Sequence, residues 1–315
     1  IGAAYIEDLV AGPTALRGIA FTTSGNADVQ HTIEFPKNQA IGSLLKAEGP
    51  VHGKDLVAAV PAPEGMVCLY RSAGGVSERF LGPEHLAFDL ALPEVKEAGQ
   101  AAVLGQDLLI ADPKSGTIWR RPLMDKRAAV APWRTGIPGV VGVAGGTGNV
   151  FVATATQVSC LSLDGKTTLW TAPEAYGGIR RLAAAPGFVY VCDEVRDVVD
   201  QLDASTGRIA ARLGIPGQRW YTLNRLNKPH AIAADMNGVY IADNGNGRVL
   251  VATTTMWKPD IVPLPREDNS PVTAVKLPVR PPLKGRMSLN VYDMDDLTVR
   301  QLVCAQPSDA PVVWD

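Results

Sequence analysis

The chain reads as an all-β propeller of six or seven four-stranded antiparallel blades. Three observations carry that reading. A pattern of short apolar runs recurs about every 40–50 residues. The runs are punctuated by Gly- and Asp-containing turns, with 31 Gly and 24 Pro in 315 residues. No segment shows a long helical period, and 46% hydrophobic content is enough to bury a large core.

The clearest unit is LNKPHAIAADMNGVYIADNGNGRVL, Leu226 to Leu250. Ala231–Ala234 is a short apolar run, Asn237-Gly238 a turn signal, and Val239–Ala242 a second run closed by Asp243-Asn244-Gly245. Arg248–Ala252 is a third run, and Asp260–Leu264 is expected to supply a fourth strand. Ile179–Asp203 aligns on it, with Leu182 on Ile232, Tyr190 on Tyr240 and Asp193 on Asp243; its fourth strand is Arg208–Leu213. Val140–Asp164 aligns again, with Phe151 on Tyr240 and an outer strand at Thr167–Thr171. An earlier unit has His85–Asp89, then Asp107–Asp112 and Thr117–Arg120, with Pro93–Gly99 inserted between its first two strands. A fainter unit covers Leu56–Phe80. The repeats fall near 50–80, 81–134, 135–174, 175–225 and 226–266, within a propeller spanning 1–274.

Leu226–Leu250 resembles an NHL repeat. Asn227, Pro229, His230, Asp235, Gly238, Tyr240, Ala242, Asp243, Asn246, Arg248 and Val249 match its pattern. The other units share the period but lack counterparts of Asn246 and Arg248. This resemblance implies an architecture and not a reaction. Val275–Arg286 (VKLPVRPPLKGR) is a Pro-rich linker candidate. Met287–Asp315 resembles the opening hairpin of an Ig-like, FlgD-type sandwich, a module found at the ends of large exported bacterial proteins. Either that module is cut short, or these strands close the last blade. The second is favoured because an isolated hairpin is marginal in water.

Charge and composition narrow the partners. A net charge of -2 and a pI near 6.1 give no electrostatic footprint for nucleic acid or anionic membrane. No apolar run approaches the roughly 18 residues that span a bilayer. The start Ile1-Gly2-Ala3 suggests a mature or excised segment of a longer, secreted or periplasmic protein. Cys68, Cys160, Cys192 and Cys304 show no metal or redox spacing and are expected as buried thiols, with a Cys160–Cys192 disulfide as the alternative.

The candidate chemistry lies at the channel mouth. Of the four histidines, His31, His52, His85 and His230, two share a place at the start of an inner strand: Pro-Glu-His85-Leu and Lys-Pro-His230-Ala. His52 has a similar approach in poorer register, and Arg180 takes the place in the aligned blade. Either a histidine at this entry is a repeat residue that bonds backbone at the blade top, or His52, His85 and His230 converge on the axis as a zinc set. The peptidylglycine-amidating lyases use comparable histidines on an NHL-type propeller; His230 matches their motif, and His85 matches it in part because Glu84 replaces Pro. Asp112, Asp193 and Asp243 end second strands and are expected as turn caps; the alternative is that Asp243-Asn244 and Asp193-Glu194 supply calcium ligands of the gluconolactonase-like kind. Gly214–Leu226, with Arg219, Trp220 and Tyr221, is a contact-loop candidate. The leading reading is a binding module for a protein or a small-molecule or carbohydrate ligand, using His85, Arg180, His230, Arg219, Trp220 and Tyr221. The alternative is a metal-dependent lyase or hydrolase at the same mouth, with zinc or calcium.

Overall fold

A computed structural model describes residues 5–11, 15–24, 27–36, 47–48, 56–62, 65–72, 74–81, 89–123, 125, 128–219, 225–236, 238–252, 262–263, 275–277, 286–292, 298–307 and 312–314. For the strands at 15–48 and beyond 252 the backbone alone is described. The chain divides into two compact units, Ile1–Thr254 and Thr255–Asp315.

The first unit is built of antiparallel sheets laid down in chain order. The first blade holds β1 (Tyr5–Ala11), β2 (Ala15–Ser24), β3 (Ala27–Pro36) and β4 (Ala47–Glu48). The second holds β5 (Leu56–Ala62), β6 (Gly65–Ser72), β7 (Gly75–Leu81) and β8 (Asp89–Leu92). The third holds β9 (Ala101–Leu104), β10 (Asp107–Asp112), β11 (Thr117–Pro122) and β12 (Ala131–Arg134). The fourth holds β13 (Val140–Gly145), β14 (Asn149–Thr154), β15 (Val158–Ser162) and β16 (Thr168–Thr171). The fifth holds β17 (Ile179–Ala185), β18 (Phe188–Asp193), β19 (Val198–Asp203) and β20 (Ile209–Leu213). A last sheet has three strands, β21 (Pro229–Ala234), β22 (Val239–Asp243) and β23 (Arg248–Ala252).

Among the described residues there are therefore five four-stranded blades, where the repeat period led to an expectation of six or seven. The difference has two sources. Dividing the full length by the period assumed that all 315 residues enter blades, whereas those after Thr254 form their own unit. The strand expected to complete the last repeat, β24 (Val262–Pro263), pairs instead with β25 (Val275–Leu277), which pairs in turn with β28 (Val312–Trp314). Part of the expected linker is thus a strand. In the same unit β26 (Arg286–Tyr292) and β27 (Thr298–Pro307) form an antiparallel hairpin.

Each inner strand packs beside the next, from β1 through β5, β9, β13 and β17 to β21, and β21 packs against β1 to close the ring. The apolar alternation of the inner and second strands explains this packing: their side chains fill the wedge between neighbouring blades. Leu69, Val76, Leu108 and Ile110 share one such core. Phe151, Leu182 and Val191 share another, and Ile6, Leu9, Ala233 and Tyr240 close the ring in a third. Each fully buried aliphatic or aromatic side chain contributes about 1.5–3 kcal/mol. The aromatic of the second strand faces a small residue of the first in three blades: Phe151 opposite Ala144, Tyr190 opposite Ala183, Tyr240 opposite Ala233. Asn244 adds a polar clasp at the closure: its amide accepts from the Ile6 N–H at 3.1 Å and donates to the Ile6 carbonyl at 2.9 Å.

Outer strands are latched by tryptophan. The Trp133 ring lies over Gly165 and the Trp170 ring over Gly207, each glycine in the turn before the next blade's last strand. Both glycines have positive φ, near 72° and 71°, and a Cβ there would meet the ring at 2.9 and 2.5 Å. Trp170 also donates its Nε1–H to the Ala204 carbonyl at 3.0 Å. Cys68, Cys160 and Cys192 are buried free thiols, so Cys160 and Cys192 are not bridged. No helix among the described residues is long and apolar enough to cross a membrane.

Candidate site at the inner-strand bulges

Inner strands begin with a repeated irregularity. In β1, β5, β13, β17 and β21 the pairing skips one residue near the N-terminal end. The skipped residues are Glu7, Val57, Val141, Arg180 and His230. A β-bulge re-aims a side chain and bends the strand, and here it does so at one end of the propeller axis. Arg180 and His230 therefore share the structural position that the sequence alignment assigned to them.

Arg180 and His230 also meet. The Arg180 Nε–H donates to His230 Nε2 at 3.3 Å. Guanidinium is donor-only, so this nitrogen of the imidazole accepts and the ring proton sits on Nδ1. That atom lies 3.4 Å from Glu194 Oε2. His230 is only 2% exposed, while Arg180 is exposed. The hydrogen bond from His230 holds the Glu194 carboxyl below its usual range, against the opposing effect of burial, and the nearby charges of Arg180 and Lys228 add to this. The result is a chain of carboxylate, buried imidazole and surface guanidinium.

In three blades the next residue is a buried polar side chain: Asp8, Gln100 and Arg181. Arg181 donates through Nη2 to the Val57 carbonyl across the ring at 2.7 Å and lies 3.7 Å from Asp8. Asp8 Oδ2 accepts from the Ala59 N–H at 2.8 Å. Gln100 reaches from the third blade to the fifth, donating to the Leu182 carbonyl at 2.5 Å and accepting from its N–H at 2.8 Å. These three side chains are buried; Asp8 bonds the neighbouring second blade, whereas Arg181 and Gln100 reach blades that are not neighbours. At this level the axis is filled with side chains, so the bulge residues form the floor of a mouth. Sequence reasoning missed Asp8, Gln100 and Arg181, and it named Glu194 only as a calcium-ligand candidate. One signal was available: consecutive arginines at the start of IRRLAAA, a strand otherwise built for burial.

The remaining candidates fall elsewhere. His52, His85, Trp220 and Tyr221 lie outside the described residues. The strand that follows His85, β8, is the outermost strand of the second blade and not an innermost one. The inner strand of the third blade is β9. Gly99 and Gln100 bond to Ala111, which puts Gly99 at the place of His230. Pro93–Gly99 is accordingly a connection between blades. Arg219 is half exposed and its Nε bonds Asp197 at 2.7 Å, tying the long connection to the turn after β18. Among the described residues no three His, Cys, Asp or Glu side chains are grouped as metal ligands would be.

The strand-ending aspartates are turn caps. Asp193 accepts from the N–H groups of Gly177, Gly178, Val195 and Arg196 at 2.7–3.1 Å. Asp112 accepts from those of Lys96, Lys114 and Ser115 and from the Trp119 indole. Burial alone pushes the Asp112 carboxyl up, but these bonds outweigh it and hold it below its ordinary range. Asp243 accepts from the Asn227 N–H, Asn246 Nδ2 and Arg248 Nε. In all three blades one bond runs to a residue 16 positions earlier, so the aspartate clamps the incoming connection to the turn. The NHL-like residues Asn227, Asp243, Asn246 and Arg248 form one such clamp.

A second concavity of about 310 Å³ opens at the other end of the fourth and fifth blades, lined in part by Asn149, Phe151, Gly187, Asp203 and Ser205.

Residues 226–252 match the family model described as NHL repeat. No curated protein matches the chain. Among solved structures it is similar to a chain of a nidogen/laminin complex, with a TM-score of 0.59 and 14% identity over 76% of this chain and 89% of that one. It is also similar to a glutaminyl cyclase from Myxococcus xanthus, at TM-score 0.45 and 13% identity over 64% and 91% of the two chains. A third is BamB from Moraxella catarrhalis, at 0.44 and 17% over 77% and 68%. The nidogen/laminin likeness is one of fold: a β-propeller, which here carries an NHL repeat at 226–252.

Proposed function

We propose that the chain is a ligand- or protein-binding propeller module of a larger exported bacterial protein, secreted or periplasmic, with its binding site at the mouth formed by Arg180, His230 and Glu194. One observation carries this: a buried imidazole held between a carboxylate and a surface guanidinium. Burying His230 to orient an exposed arginine costs free energy that a purely structural bulge would not require. The same place is taken by Val57 in the second blade and Val141 in the fourth, so the bulge itself does not require a polar residue. Arg180 is the anchor, and His230 and Glu194 position it. Arg180 is exposed, and arginine is the kind of residue that dominates recognition sites. The likeness in fold to a chain of a complex between two proteins supports a binding role. The resemblance of the C-terminal stretch to FlgD-type modules supports export.

The test is a peptide and glycan array probed with the untagged protein and two variants, Arg180→Gln and Lys114→Gln. Lys114 is an exposed cation in the turn after β10, in the third blade. Signals that vanish in Arg180→Gln and persist in Lys114→Gln support the site. Arrays indifferent to Arg180, together with about one chelator-removable metal per chain and hydrolytic or lyase turnover, would replace this reading with the metal-enzyme one.

A further inference from the structure

We propose that Asn244-Gly245 is a spontaneous deamidation site which the closed ring protects and an opened ring exposes, so that a lapse in closure is fixed as a covalent change. Both residues of the pair are set by the structure. The Asn244 amide reaches from the last sheet to β1, across 238 positions of sequence, and bonds both the N–H and the carbonyl of Ile6. An amide supplies that acceptor and that donor together, which a carboxylate does not. Gly245 is set by packing: a Cβ there would meet Asn227 Cγ at 2.3 Å and the Asn227 carbonyl oxygen at 2.6 Å. The repeat does not dictate the pair, because Glu194-Val195 holds the same place after Asp193.

Asparagine is thermolabile, and most so before glycine, where no side chain obstructs approach to the next amide. The Gly245 nitrogen, after giving its proton to a solvent base, attacks Asn244 Cγ. The N–Cγ bond forms, the Cγ–Nδ2 bond breaks, and Nδ2 leaves as ammonia with a proton from solvent. Water then opens the cyclic imide to aspartate or isoaspartate.

In the closed ring both reacting groups are held in other bonds. The Asn244 amide is fixed on Ile6, and the Gly245 N–H donates to the Asn227 carbonyl at 2.8 Å. Gly245 is exposed, so water and solvent base reach it, and geometry rather than burial is the guard. Ile6 belongs to the closing core with Leu9, Ala233 and Tyr240, so the clasp is released when that core parts. The product does not restore it. Aspartate turns an ionised oxygen toward the Ile6 carbonyl, where Nδ2 donated at 2.9 Å, and leaves two acceptors facing each other. Isoaspartate adds a carbon to the backbone of the turn before β23.

The test incubates the purified whole chain in mildly alkaline buffer and follows Asn244 by peptide mapping with mass spectrometry. Conversion should be at least about tenfold slower in the native chain than in the urea-unfolded one, because it requires an open form whose population closure suppresses. Asn246-Gly247 is the internal reference. Asn246 donates to Asp243 at 2.8 Å within its own sheet, so Asn244 should convert ahead of it at urea concentrations below global unfolding. Leu9→Ala, which thins the closing core, should speed conversion at Asn244 about tenfold or more, and Leu69→Ala, in the core of the second and third blades, clearly less. Asn244→Asp, the product made directly, should lower the thermal midpoint by about 2–8 °C. Equal rates in native and unfolded chains, or no conversion in either, overturns the inference. So does equal acceleration by the two alanine variants, or an Asn244→Asp chain as stable as the wild type. If Leu9→Ala does not fold, the urea series decides: Asn246 converting before or together with Asn244 overturns it.

Discussion

Replacing Gly207 by Ala tests the latch between the fourth and fifth blades. Gly207 has φ near 71°, where an L side chain is disfavoured by roughly 1–2 kcal/mol. A Cβ there would also lie 2.5 Å from Trp170 Cε3, closer than atoms tolerate. The indole must shift, which is an overpacking cost of about 1–3 kcal/mol. Its Nε1–H bond to the Ala204 carbonyl is stretched or lost, about 1 kcal/mol more. Together the substitution should destabilise the propeller by about 3–6 kcal/mol. For a unit of this size that is a fall of roughly 6–24 °C in the thermal midpoint. The control is Gly148→Ala: φ is near 89° but nothing lies within 4 Å of the added carbon, so only the backbone cost of about 1–2 kcal/mol applies. Urea unfolding followed by tryptophan fluorescence measures both. Adding Trp170→Ala to Gly207→Ala should be markedly less than additive, since the ring can be lost only once. Equal costs for Gly207→Ala and Gly148→Ala would refute the latch.

Three further outcomes are expected. Asp193→Ala removes the acceptor of four backbone N–H groups and should cost about 3–5 kcal/mol in the same urea assay, whereas Asp164→Ala, on an exposed turn, should cost under about 1 kcal/mol. The Asp112 carboxyl is held below its ordinary 3.8, so the stability it contributes is present above that value and lost as pH falls through and below it; acid titration of Asp112→Asn should show a shallower loss there. Burial pushes the Cys68 thiol up to about 12 and the Cys160 thiol to about 11, so neither should react with a disulfide reagent in the native protein, and both should react on unfolding, as mapped by mass spectrometry.

Much of the architecture was legible because a blade is a local object. The aromatic-to-small pairing and the Asp-closed second strand repeat at fixed offsets within about 40 residues, so Phe151, Tyr190 and Tyr240 aligned without a structure. Assigning His85–Asp89 to an inner strand failed for the converse reason. Strand order within a sheet depends on which blade a segment joins, and Asp89–Leu92 pairs backwards with β7 although it precedes β9 by a short connection. A strand's alternation does not reveal whether it opens one blade or closes another. The axial network was illegible for a similar reason. Asp8, Gln100 and Arg181 lie as many as 173 residues apart (181 minus 8), and only ring closure brings them together.

The repeats also separate scaffold from site. Asp112, Asp193 and Asp243 recur at one place because each performs the same task, clamping the connection 16 residues back. Recurrence made them look like a ligand set, yet their lone pairs are filled by N–H donors. The bulge position behaves in the opposite way. Its backbone geometry is shared by β1, β5, β13, β17 and β21, but its residues are Glu7, Val57, Val141, Arg180 and His230. Where geometry is shared and chemistry is not, the fold does not dictate the side chain. Arg180 and His230 stand on neighbouring inner strands and bond each other, with Glu194 completing the chain. A residue set by the repeat serves the scaffold, whereas a residue that varies at a shared geometric place is where mutation can separate a local role from the fold.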